Sequence, residues 1–144
     1  MNFKRRHFSI RTTHNSDIEN YYYEFSQLSI TERAEKIKRA QEELTKMDEG
    51  INSQGMLSVL ENDTNKLLGI IRFERKKGIL GIRVLIPNES KLYRYGFEIV
   101  DQFLKISREQ WSDEIKFVRL NEEDEAAKMY LKERDLQSEY ICIA

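Results

Sequence analysis

The sequence has 144 residues, of which 40% are hydrophobic, 10% aromatic and 34% charged, and its formal net charge is −1. A chain of this length forms one domain with a sizeable core, and this apolar content excludes a disordered protein. The small net charge argues against a general nucleic-acid binder. We therefore expect a single domain over residues 1–144.

The sequence offers little that points to a metal, a membrane or an oxidising compartment. Cys142 is the only cysteine, which excludes an intramolecular disulfide and a cysteine-based zinc site. His7 and His14 have no further ligands at metal-binding spacing, so no metal is expected. No apolar run approaches the ~20 residues that span a bilayer, and the basic segment 1–7 lacks the apolar stretch of a signal peptide. We expect a cytoplasmic protein.

The N-terminal part of the chain predicts one strand and two helices. Alternating apolar residues predict a strand over residues 8–13. Ser16 and Ser29 are each followed three residues later by a glutamate, which is the pattern of a capping box at the start of a helix. Apolar residues at helical spacing follow both, and the second helix should end near Gly50.

The middle of the chain predicts an antiparallel meander of three strands. Residues 56–61 and 66–75 read as the first two strands, and a second turn at 76–78 leads into the third. Residues 79–86 are nearly continuous in apolar side chains, as expected of a central strand buried on both faces. Pro87 ends this strand because proline cannot donate to a ladder.

The C-terminal part alternates helices and strands. A loop over residues 88–95 leads into an amphipathic helix, and residues 115–120 form the next strand. Asn121 is predicted to cap another helix, and the last strand covers residues 138–143, where Cys142 is expected to be a small core residue. The predicted order is β-α-α-β-β-β-α-β-α-β, a mixed, mostly antiparallel sheet flanked by helices.

The junction that follows the strand at 79–86 has the chemistry of an anion site. A loop between a central strand and a helix directs backbone amides at one point, and the helix dipole adds positive potential there. Lys91 and Arg94 add two cations to this loop, and Gly96 allows close approach of the backbone. Such a site suits a pyrophosphate.

This stretch resembles the GNAT superfamily of N-acetyltransferases. Residues 85–87 match the hydrophobic-x-Pro end of the family's fourth strand, and residues 91–96 stand in place of its Q/R-x-x-G-x-G/A loop. Arg94 replaces the first glycine of that loop. Ala126 and Tyr130 match the spacing of the family's alanine and tyrosine before the last strand, although the Gly-Phe that normally follows is absent. The resemblance covers most of the chain and implies a GNAT-like domain.

The resemblance implies that acetyl-CoA is the co-substrate, threaded between two strands that splay apart. Backbone groups of two residues would pair with the pantetheine arm, and helix-terminal amides with a basic side chain would cradle the pyrophosphate. The cofactor-binding residues implied in this way are Leu85, Ile86, Lys91, Arg94, Tyr95, Gly96 and Phe97.

Three further residues receive roles from the same resemblance. Tyr130 would protonate the departing CoA thiolate, and Glu74 would remove the proton of the acceptor amine. Tyr23 is placed at the acceptor site. Each has a structural alternative: Tyr130 as a core tyrosine, Glu74 as a partner in a cross-strand ion pair, and Tyr23 as an exposed side chain of the first helix.

The predicted function is transfer of an acetyl group from acetyl-CoA to a primary amine of a small molecule or peptide. An alternative is a catalytically inactive GNAT-like module that binds acyl-CoA or a protein partner, which the arginine at position 94 favours. A third reading is an unrelated α/β domain without a splay between strands 79–86 and 115–120. The resemblance also allows a homodimer, since dimers are common in the superfamily.

Overall fold

A seven-stranded sheet, in which the strands lie in chain order, forms the centre of the molecule. The computed structural model describes residues 1–47 and 54–143. The strands are β1 Asn2–Lys4, β2 Phe8–Thr12, β3 Gln54–Glu61, β4 Leu67–Lys76, β5 Ile79–Leu85, β6 Phe117–Leu120 and β7 Tyr140–Cys142. The helices are α1 Asn15–Tyr23, α2 Ile30–Thr45, α3 Glu89–Trp111 and α4 Glu125–Glu133.

The predicted fold class is confirmed, with one additional strand. Neighbouring strands are antiparallel except β5 and β6, which are parallel because α3 crosses between them. The addition is β1, whose three residues pair with β2 and are too few to give a sequence pattern. The helix end that was predicted near Gly50 lies outside the described residues.

Of the three predicted helix caps, Ser29 is confirmed, whereas Ser16 and Asn121 are wrong. Ser29 caps α2 as predicted, because its Oγ accepts the Glu32 amide at 3.1 Å. The first helix starts after His14 rather than at Ser16, since Asp17 accepts the His14 amide at 2.8 Å. The last helix is preceded by Asp124, whereas the side chain of Asn121 accepts the Glu123 amide within the preceding turn.

The two faces of the sheet are covered unequally. The covered face packs under α3 and α4 and holds the main core, with Phe103 and Leu80 fully buried. On the opposite side, which we call the open face, α1 and α2 cover a smaller cluster around Met56 and Ile70. The core therefore lies mainly between the sheet and the pair α3–α4.

Strand β5 was predicted to be buried on both faces, and this is wrong. Leu80, Ile82 and Val84 point to the core, whereas Gly81 is half-buried and Arg83 is exposed on the open face. Cys142 is also exposed rather than part of the core. The open face along β5 to β7 is thus accessible.

Candidate functional site

The strands β5 and β6 pair at one end and separate at the other. Their parallel register runs from Ile79 opposite Phe117 to Ile82 opposite Leu120, where β6 ends. The last three residues of β5 therefore have no partner on that side of the sheet. We call the space beside them the splayed gap. The reading of an unrelated α/β domain predicted no such separation, so the geometry counts against it.

A carboxylate from the start of α4 lies in the splayed gap. Asp124 Oδ2 accepts the backbone amide of Val84 at 3.0 Å, and Asp124 Oδ1 accepts from Arg83 Nη2 at 2.9 Å. Asp124 is 5% exposed, so its charge is compensated mainly by this guanidinium. The hydrogen bond to Asp124 keeps Arg83 charged and raises the pKa of the guanidinium further. The first unpaired amide of β5 is thus occupied by the protein itself.

The segment that was predicted as a pyrophosphate loop is helical. The helix α3 begins at Glu89, and Asn88 caps it by accepting the Lys91 amide at 3.0 Å. Amides from the second turn onward donate to carbonyls of the helix and are not available to a ligand. This geometry argues against the expected pyrophosphate cradle at the amides of residues 94–97. The amides left unpaired within the helix are those of its first turn.

A buried glutamate holds the first two turns of α3 on the sheet. Glu61, at the end of β3, accepts from the Tyr95 hydroxyl at 2.7 Å and from Lys91 Nζ at 3.1 Å. Its other oxygen accepts from Thr64 at 2.8 Å. These hydrogen bonds, with that from Tyr95 the largest cause, lower the pKa of Glu61 from 4.5 to about 2. Lys91 and Tyr95 lie one turn apart on α3 and thus share Glu61 as a structural partner.

The residues predicted to meet the pantetheine are shifted by one position. Leu85 is in register with Ile70 on β4, whereas the amide of Val84 faces the splayed gap. Because successive peptide groups of a strand point to opposite sides, Leu85 directs its amide to β4. The amide that faces the splayed gap is therefore that of Val84 and not that of Leu85. Ile86 lies just after β5, and its role stays a prediction.

Tyr130 lies in the interface of α4 with α3. Its ring stacks on Phe97 with centroids 5.2 Å apart, and the Arg134 guanidinium lies over both rings. Burial, assisted by the carboxylate of Asp101, raises the pKa of the Tyr130 phenol. The phenol is therefore protonated at neutral pH, as a general acid must be. The same contacts also fit the structural alternative of a core tyrosine.

A pocket of about 790 Å³ opens on the open face, beside the splayed gap. Its floor is formed by β4, β5 and β6, with Glu74, Gly81 and Arg119 side by side in one row of the sheet. Arg72 and Arg83 line the pocket in the next row. The lining therefore carries charges of both signs: three arginines with Lys76 and Lys77, and Glu74 with Glu122, Glu123 and Glu139.

The structure places Glu74 in this pocket and Tyr23 outside its lining. Directly opposite Glu74 lie Gln54 and Gly81, which carry no charge, so the cross-strand ion pair is not formed. Tyr23 is 65% exposed at the end of α1. Its ring packs under the Arg33 guanidinium, 5.4 Å from the ring centroid. Glu74 thus keeps its candidate role, whereas nothing joins Tyr23 to the pocket.

Within residues 1–47 and 54–143, no group of three or more His, Cys, Asp and Glu side chains is arranged to hold a metal ion. Over the same ranges, no helix has the length and apolar character needed to cross a bilayer.

Solved structures of known proteins share this architecture. A spermidine N-acetyltransferase chimera from Vibrio cholerae superposes with a TM-score of 0.67 at 15% identity, over 89% of this chain and 79% of that chain. A GNAT-family acetyltransferase from Bacillus anthracis superposes with a TM-score of 0.59 at 14% identity, over 83% and 72%. The chain has the GNAT fold. Glucosamine-6-phosphate N-acetyltransferase from Arabidopsis thaliana matches this GNAT fold with a TM-score of 0.54 at 18% identity, over 88% and 90%.

No protein-family model and no curated protein sequence matches the chain. The likeness therefore concerns the GNAT fold, and function must be argued from the site itself.

Sequence reasoning missed the residues that shape the splayed gap. Neither Asp124 nor Arg83 received a role from the sequence pattern. An arginine inside an otherwise apolar strand was the available signal, because a charged side chain there needs a partner or an open face. The partner itself, 41 positions away, could not be read from the sequence.

Proposed function

We propose that this protein is an acyl-CoA-dependent N-acyltransferase that moves an acetyl group from acetyl-CoA to a primary amine. The observation that carries the proposal is the splayed gap between β5 and β6, which opens beside the pocket that contains Glu74. A thioester held in the gap would lie next to an amine held on the open face. The similarity to the fold of solved acetyltransferases supports the same chemistry.

The proposed reaction is direct attack of a neutral amine on the thioester carbonyl. The C–N bond forms, the C–S bond breaks, and CoA leaves as a thiolate. Glu74, an exposed carboxylate in the pocket, takes the proton that the amine loses, directly or through water. Tyr130 gives its proton to the thiolate, which its raised pKa allows because the phenol is protonated at neutral pH.

The donor fits the residues only after one internal contact opens. Its pantetheine arm must take the Val84 amide from Asp124, which holds it at 3.0 Å. Its phosphates would meet the amides of the first turn of α3 and the exposed side chain of Arg94. Because Lys91 is bound to Glu61, Arg94 is the stronger candidate for the phosphate contact.

The second candidate function is a GNAT-like module without turnover. Two observations favour it: the Asp124 carboxylate occupies the amide that a donor needs, and residues 91–96 form helix instead of a phosphate loop. In that case a ligand or partner would bind the fold without acyl transfer. Donor binding and turnover separate the two candidates.

Calorimetric titration with acetyl-CoA tests donor binding. We expect micromolar binding, and about tenfold weaker binding by Arg94→Glu, because a charge-assisted phosphate contact is replaced by repulsion. Arg108→Glu is the matched control, since it makes the same charge change on the same helix, about 21 Å further along. A bulky substitution at Gly96 would not test donor binding cleanly. A Cβ at this position already meets Leu92 and Met129 at 3.3 Å, so a tryptophan would force α3 and α4 apart.

Steady-state assays with a panel of primary amines test turnover. Tyr130→Phe should lower kcat while the affinity for acetyl-CoA stays unchanged, because the phenyl ring keeps its stacking on Phe97. Donor binding without turnover on any amine would favour the second candidate. Equal loss of binding in Arg94→Glu and Arg108→Glu, or none in either, would contradict the phosphate assignment.

A further inference from the structure

We propose that the pocket on the open face binds a zwitterionic ligand, a small molecule with a primary amine at one end and an oxyanion group at the other. The inference deepens the proposed function by naming the class of acceptor, and it rests on that function only for the fate of the amine. Binding of the zwitterion depends on the charged side chains of the pocket alone.

The floor of the pocket separates a negative side chain from a positive one. Glu74, Gly81 and Arg119 are in register on β4, β5 and β6. Two strand spacings put the backbones of Glu74 and Arg119 about 10 Å apart. A Cβ added at Gly81 would meet nothing closer than the Glu74 carbonyl oxygen, at 3.7 Å. The space between the two charges is therefore open and has the length of a small extended molecule.

Three arginines on neighbouring strands supply donors for the oxyanion. Arg72 and Arg83 are directly opposite each other, an arrangement in which like charges repel. Carboxylates from outside the row reduce the repulsion between the two arginines, because Arg72 pairs with Glu43 and Arg83 pairs with Asp124. Arg119 pairs with Glu139 through Nε alone, at 2.9 Å.

These pairs leave guanidinium donors unused. A guanidinium has five N–H donors, and each of the three arginines commits one or two of its nitrogens to a carboxylate. Their side chains are 38%, 51% and 54% exposed for Arg72, Arg83 and Arg119. An oxyanion that binds among them gains charge-assisted hydrogen bonds and reduces the repulsion across the strands.

Glu74 supplies the complementary negative charge for an amine. It is exposed in the pocket, and the arginines nearest in sequence, Arg72 and Arg75, pair with Glu43 and Glu114 instead. A ligand that is only anionic would be repelled by the carboxylates of the lining, which are Glu74, Glu122, Glu123 and Glu139. One that is only cationic would be repelled by the arginines with Lys76 and Lys77. A molecule that carries both charges satisfies both ends, and a pocket of about 790 Å³ is large enough to enclose it.

Calorimetry on the full chain without any acyl donor tests this inference. The probes are O-phosphoethanolamine and γ-aminobutyrate as zwitterions, with ethanolamine and inorganic phosphate as the matched half-ligands. We expect at least one zwitterion to bind about tenfold or more tightly than either half-ligand, because each end adds a charge-assisted contact. Equal affinities for ethanolamine and phosphoethanolamine, or no binding of either zwitterion at millimolar concentration, would overturn it.

Two variants locate the binding on the pocket floor. Gly81→Leu should abolish zwitterion binding by filling the open floor, whereas Lys4→Leu on β1 should leave it unchanged. Arg119→Gln should weaken binding about tenfold, and Arg75→Gln is its control because Arg75 does not line the pocket. Unchanged binding in Gly81→Leu would overturn the site. If the protein binds a zwitterion and acetylates no amine, this inference is supported and the proposed function is contradicted.

Discussion

The side of β4 and β5 that lies under α3 is apolar, whereas the opposite side of the same strands carries arginine, glutamate and glycine. On the covered face the alternate residues, such as Ile71 and Leu80, are fully buried. On the open face their neighbours Arg72 and Gly81 line a pocket. One strand pair therefore supplies both the core and the candidate site. The charged positions within these apolar strands therefore mark the face where we expect binding.

The largest expected effect comes from removing a ring on the covered face. Phe103 is fully buried and its ring lies 6.1 Å from that of Trp111. Phe103→Ala should lower the free energy of unfolding by about 3–5 kcal/mol, since it leaves a cavity in a packed core. Urea denaturation measures this, with Gly81→Leu on the open face as the comparison. Similar losses in both variants would contradict the division into a structural and a binding face.

An intermediate effect is expected at the splayed gap, where the two faces meet. Asp124→Ala removes the acceptor of the Val84 amide and the partner of Arg83. It should cost about 1–3 kcal/mol of stability. It should also raise the affinity for acetyl-CoA, because the donor no longer competes with the carboxylate. Thermal unfolding and donor titration of the same preparation measure both quantities, and a donor affinity that falls would contradict the assignment of the gap.

An effect of similar size is expected at the glutamate that anchors α3. The pKa of Glu61 is lowered from 4.5 to about 2, so its carboxylate stabilises the fold above pH 4.5 and loses this contribution as the pH falls towards 2. Glu61→Gln should cost about 1–3 kcal/mol at neutral pH, because the pKa lowering corresponds to about 3 kcal/mol and the amide keeps one acceptor oxygen. The difference from wild type should shrink between pH 4.5 and 2. Urea midpoints across this range check the prediction, and a constant difference would contradict it.

Local signals in the sequence predicted much of the fold. The cap at Ser29 and the buried stripe of α3 were correct because both depend on residues within a few turns. The turn at 76–78 was also correct, with Lys77 and Gly78 at positive φ, as a tight hairpin requires. The class of the sheet then followed from the order of the elements.

The site was less predictable because its contacts join distant parts of the chain. The pyrophosphate loop was inferred from the position of residues 91–96 after Pro87, but this segment is helical, and its Lys91 and Tyr95 side chains both donate to Glu61 on β3. The pairing of Asp124 with Val84 likewise depends on how α4 returns to the sheet. Glu74 received its role from the family resemblance, and its neighbours across the strands were not known from the sequence.

The most direct test is the rate of CoA release from acetyl-CoA in the presence of zwitterionic amines, for wild type and Gly81→Leu. We expect amine-dependent turnover by the wild type. We expect Gly81→Leu to lose that turnover and to retain its affinity for acetyl-CoA, because the donor would lie in the gap and the acceptor on the open face. Turnover that Gly81→Leu leaves intact, or wild-type protein that binds acetyl-CoA and acetylates no amine, would contradict this expectation.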